Sequence, residues 1–176
     1  MAKTIGKEDR FDLEYYLIHE EGGLASYREP TAMVRLFEFA DTYVKQIEPD
    51  FPNMVCTQMS FDQDTLCIKE KGQFLKHGGV EIGLWETYDS TGTLIKTEDM
   101  DKDFPVTWAQ LESILKDRDI SLLTADLILR HYDSENDSAT WSILIELPME
   151  KGCLYVFDAR TGELLSKEII DMKKEL

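Results

Sequence analysis

Carboxylates at alternating positions are the first residues in this 176-residue chain whose spacing could do chemistry. Asp99, Asp101 and Asp103 open as a calcium loop opens, and Asp133, Glu135 and Asp137 repeat the pattern. Such a loop needs a glycine at its sixth position, where the backbone turns sharply, and a bidentate glutamate at its twelfth. The first run has Phe104 and Gln110 there and the second has Leu144 at its twelfth position, so neither reads as a cation site. His19, His77 and His131 lie in separate stretches, without the short spacing that puts two imidazoles on one face of an element. Cys56, Cys67 and Cys153 form no Cys-x-x-Cys pair. A Cys56–Cys67 bridge across a hairpin is open to the spacing, but a cytosolic chain is expected to keep its thiols reduced. Gly78-Gly79 reads as a turn, because no Gly-rich loop leads into a helix carrying Lys and Ser or Thr. Nucleophilic catalysis needs a nucleophile beside an oriented base, and no motif announces one. No metal, no cofactor and no enzymatic activity are expected.

Charge is the stronger clue. Nineteen basic against thirty-five acidic residues give a net charge of −16. Nucleic acid and anionic membrane surfaces are poor partners for such a chain, since neutralising phosphates takes clustered Lys and Arg. A basic protein is the better match, because an acidic surface speeds capture of a cationic partner. Glu98, Asp99, Asp101, Asp103, Asp133, Glu135 and Asp137 are therefore the candidate partner-binding residues. The plainer alternative is a solvated surface that keeps the protein soluble. No apolar run reaches the roughly 20 residues that span a bilayer, and the N-terminal ten residues lack an apolar signal region. A cytoplasmic location is expected.

The elements that would position these residues follow from periodicity. Apolar residues over 8–20 fit a short amphipathic helix ended by Gly22 and Gly23. Met33, Leu36, Phe37, Ala40, Val44 and Ile47 recur at spacings of three and four and predict a helix over 31–48. Short alternating runs over 54–60, 65–70, 80–88 and 93–98 predict an antiparallel meander. Thr107 with Gln110 forms a capping box that opens another helix, and strands are expected over 124–132, 139–147, 153–157 and 163–169. The expected fold is α+β: two related helix-plus-antiparallel-sheet units with helices on one face of the sheets. Its boundaries are an N-terminal helix and loop over 1–30, a first unit over 31–98, an acidic linker over 99–106 and a second unit over 107–176.

The case for related units is a repeated phrase. Tyr88-Asp89-Ser90-Thr91-Gly92-Thr93-Leu94-Ile95 returns, one residue longer, as Phe157-Asp158-Ala159-Arg160-Thr161-Gly162-Glu163-Leu164-Leu165. With the preceding helix and strands from Trp108, the second copy resembles a PepSY-like domain. That resemblance implies a small non-catalytic module that binds or restrains a partner such as a protease. Asp158 capping the turn and Gly162 at positive φ explain the same residues without any family.

Three functional readings follow. The first is a non-catalytic acidic protein that neutralises a basic partner, with the immunity protein of a bacterial toxin as its most concrete form. The second is a small-molecule-binding or enzymatic domain with a pocket between the sheet and the 31–48 helix. The third is a structural adaptor that pairs through a strand edge; the sequence leaves oligomeric state undetermined.

Overall fold

The computed structural model describes residues 10–172. Among them the chain is mostly antiparallel β-sheet, with eleven strands in two sheets and two α-helices, which overturns the expected α+β architecture. By its contacts the chain forms two compact units. The first takes in the described residues up to Lys76 together with Glu81–Met100, and the second His77–Val80 and the described residues from Asp101 onward.

In the first unit the N-terminal helix is α1, Leu13–His19, capped by Asp12, whose carboxylate accepts the Tyr15 amide at 3.0 Å. Residues 8 and 9 of the expected helix lie outside the described residues. Seven strands follow in a simple meander: β1 Leu24–Glu29, β2 Ala32–Phe39, β3 Thr42–Pro49, β4 Val55–Asp62, β5 Ile68–Leu75, β6 Glu81–Tyr88 and β7 Leu94–Asp99. The core gathers Phe11 and Tyr16 onto Ala25, Val34, Leu36, Phe61 and Ile68. Phe11 stacks on Tyr43 with ring centroids 4.6 Å apart and leans on Phe61.

The expected helix over 31–48 is instead the β2–β3 hairpin, with Phe37 opposite Val44 and Arg35 opposite Gln46. Its spacing of three and four was accidental, because both faces of the hairpin carry apolar residues. The period that governs is two: Ala32, Val34 and Leu36 are buried, whereas Met33, Arg35 and Phe37 are only half so. The turn hides in the sequence because Ala40, rather than a glycine, takes φ 53° there.

The second unit begins with α2, Trp108–Asp117, where the Gln110 carboxamide oxygen accepts the Thr107 amide at 2.9 Å, the reciprocal half of the expected capping box. Four antiparallel strands follow, β8 Ala125–Asp133, β9 Ser138–Leu147, β10 Lys151–Asp158 and β11 Leu164–Asp171, in the order β11-β10-β9-β8. Trp141, fully buried, donates its indole N–H to the Val106 carbonyl at 2.9 Å and lies against Phe104 and Trp108. Arg130 lays its guanidinium over the Phe104 ring at 4.4 Å and pairs with Asp101 at 2.7 Å. His77–Val80 fastens to β8 through the Ile128 amide and His77 carbonyl, 2.9 Å apart. Gly78 is required there, since a Cβ would stand 1.9 Å from the Ile128 carbonyl oxygen.

A seven-stranded meander and a helix with four strands are different folds, so the helix-plus-sheet duplication does not hold. What does repeat is a turn. Asp89 Oδ1 accepts from the Thr91 amide and hydroxyl and the Thr93 amide, and Asp158 Oδ1 from the Arg160 and Thr161 amides and the Thr161 hydroxyl. Two further copies, which the repeated phrase did not reveal, follow Phe61 and Tyr132. Asp62 Oδ1 accepts from the Asp64 and Thr65 amides, and Asp133 Oδ1 from the Glu135 and Asn136 amides. An aromatic residue followed by a turn-capping aspartate thus closes the hairpins β4–β5, β6–β7, β8–β9 and β10–β11.

Candidate functional site

The seven candidate carboxylates divide between the two units. Glu98 and Asp99 belong to β7 of the first unit, and Glu98 is paired with Lys96 at 2.8 Å. The other five belong to the second unit. Asp101 is held by Arg130 in a pair whose side chains are only 20% and 11% exposed, so its first task is structural. Asp133 is folded into its own turn, where the Asn136 side-chain amide and two backbone amides hold its carboxyl below the usual carboxylate range.

Asp103, Glu135 and Asp137 remain; Asp137 and Asp103 lie near Tyr132, and Glu135 sits in the turn that follows it. In the other three aromatic-Asp turns the aromatic ring turns inward: Phe61 and Phe157 are fully buried and Tyr88 packs against the first core. Tyr132 is 36% exposed. Its hydroxyl donates to Asp137 at 3.1 Å. That hydrogen bond, with the negative charges of Asp137 and Asp103, pushes the phenol pKa upward. Arg160, from the β10–β11 turn at the same end of the sheet, also pairs with Asp137 and holds the two hairpins together. Glu135 stands exposed at the hairpin tip. An amphipathic ring inside an anionic rim can pack against the aliphatic part of a lysine or arginine while the carboxylates meet its charge.

The periodicity of 124–132 placed Tyr132 on a strand, but no sequence signal separated it from the aromatic residues that enter the core. The distinction arises from position, since β8 is an edge strand and its terminal residue has neighbours on one side only.

Other chemistry-bearing residues are dispersed. Among the described residues no group of three or more His, Cys, Asp or Glu side chains could hold a metal ion. All three cysteines are free and buried, which rules out the Cys56–Cys67 bridge in this structure. Burial, with the Glu48 carboxylate nearby, pushes the Cys56 thiol up to about 11. The pocket expected beside a 31–48 helix has lost that wall. The helix-bearing face of the first sheet instead carries an open groove of about 620 Å³ over Ile47, Thr57 and Met59, bordered by Lys71, Leu84 and Glu86. No helix among the described residues is long and apolar enough to cross a membrane, which says nothing about β-barrels.

Compared with known proteins, the chain matches no protein family, no curated sequence and no solved structure, and nothing in those comparisons identifies a PepSY-like domain.

Proposed function

We propose that this chain is a cytoplasmic, non-catalytic binding protein that captures a basic protein and blocks it, as an immunity protein blocks a bacterial toxin. The observation that carries the reading is the exposed Tyr132, bonded to Asp137 and near Asp103, with Glu135 exposed in the same turn, at a hairpin type whose other aromatic residues are buried or partly buried in a core. Tyrosine is a favoured anchor of protein interfaces, and a surrounding polar rim excludes water from it. The net charge of −16 adds long-range attraction for a cationic surface. A module that restrains its partner is also what the PepSY-like resemblance of residues 108–168 implies.

The test is kinetic. A basic protein captured from host extract should associate with the immobilised chain at a rate that falls steeply as salt rises, because a Debye length of roughly 8 Å at physiological ionic strength screens steering charges. Its dissociation rate should change less, being set by the contact around Tyr132. An association rate indifferent to salt would contradict the proposal.

A further inference from the structure

We propose that the outer edge of β7 pairs antiparallel with β7 of a second copy of this chain, centred on Thr97, and joins two seven-stranded sheets. The inference is independent of capture at Tyr132. β7 is the last strand of its sheet, and all six of its residues are exposed. The Met100 amide donates to the Gly83 carbonyl, which fixes the alternation along the ladder. With Trp85 opposite Glu98 and Thr87 opposite Lys96 as hydrogen-bonded pairs, Thr97 aims its own amide and carbonyl away from β6. The strand therefore offers a donor and an acceptor at its centre, the template that an added strand needs.

A lysine in mid-edge usually discourages such pairing. Here its effect depends on register. Lys96 and Glu98 project on the same face, as their ion pair at 2.8 Å shows. In a two-fold pairing centred on Thr97, Lys96 of each copy faces Glu98 of the other, Leu94 faces Met100 and Ile95 faces Asp99. Centring on Lys96 or on Glu98 sets like charges directly opposite, which is unfavourable. Centring on Ile95 would overlap only three residues of β7 against five for Thr97, so charge and overlap together favour one isologous register, with a second copy as its occupant. The apolar surface that pairing would shield is present, with Ile95 63% exposed and Leu94 48%. In this arrangement Glu98 serves self-association, and the second-unit carboxylates remain for a basic partner.

Sedimentation equilibrium of the full chain from about 5 to about 500 µM tests the proposal, since a dimer must follow mass action. The expected result is a reversible monomer–dimer equilibrium. Lys96→Glu and Glu98→Lys should each weaken it by about tenfold, because each turns two attractive cross-strand pairs repulsive, and the double swap should restore it. The single swaps move net charge in opposite directions, so a response to net charge alone would strengthen association in Glu98→Lys and overturn the proposal. Thr97→Pro removes only an outward amide and should abolish the dimer with the circular dichroism spectrum and Tm retained; if it unfolds, the charge swaps decide. A monomer at every concentration, failure of the double swap to restore pairing, or wild-type dimerisation by folded Thr97→Pro would each overturn it.

Discussion

Asp158 gathers two backbone amides and a hydroxyl onto one oxygen, and those bonds hold its carboxyl below the usual carboxylate range. Asp62, Asp89 and Asp133 are lowered in the same way, by hydrogen bonds from their own turns. A carboxyl whose pKa is depressed by folding contributes stability above its unfolded value, near 3.9, and loses that contribution as pH falls through the folded value. Asp158→Ala should therefore lower the urea midpoint at pH 7, and its gap from the wild type should narrow as pH falls from about 3.9 through the folded value. A gap constant across that range would mean that the charge of the carboxylate is not what the turn uses. The Asp-x-x-Thr-Gly phrase made this turn legible from sequence alone. Asp101 was not legible in the same way, because its partner Arg130 lies 29 residues away and only the fold brings them together. The sequence alone marks Asp133 as facing a partner, whereas much of its bonding capacity is spent on the hairpin that carries Tyr132.

Gly72 shows how a strand can depend on a residue with no side chain. It is buried in β5, and a Cβ there would stand 2.1 Å from the Trp85 ring, which lies across it and donates its indole N–H to the Gln73 carbonyl at 3.1 Å. Gly72→Ala forces that ring off its seat and should cost about 1–3 kcal/mol, as overpacking does, measurable by denaturant unfolding with tryptophan fluorescence. Unchanged stability and emission would show that the ring is not held there. Local chemistry marked several elements in advance: Thr107 and Gln110 fixed the start of α2, and turn residues separated β4 to β7 of the first sheet and the strands of the second. The β2–β3 hairpin escaped because Ala40-Asp41 is a turn without glycine or proline, and because apolar residues on both faces of a hairpin imitate the spacing of a helical stripe.

For the whole molecule, net charge was the property most open to sequence, and both units carry an acidic excess. Sheet membership was less open, since the meander order brings neighbouring segments together without any long-range signature in the chain. The acidity is widely spread, and among the seven candidates Asp103 and Asp137 converge on an unburied aromatic ring, Tyr132, with Glu135 exposed in the same turn. Net charge alone attracts any cation; the hairpin is what would give the attraction a place. The direct measurement compares what the wild type and Asp103→Asn/Glu135→Gln/Asp137→Asn retain from host extract at low salt, with both proteins shown to be folded by circular dichroism. A basic protein held by the wild type and lost from the triple variant is the predicted result; equal retention by the two, or no basic protein on either, would contradict capture through this hairpin.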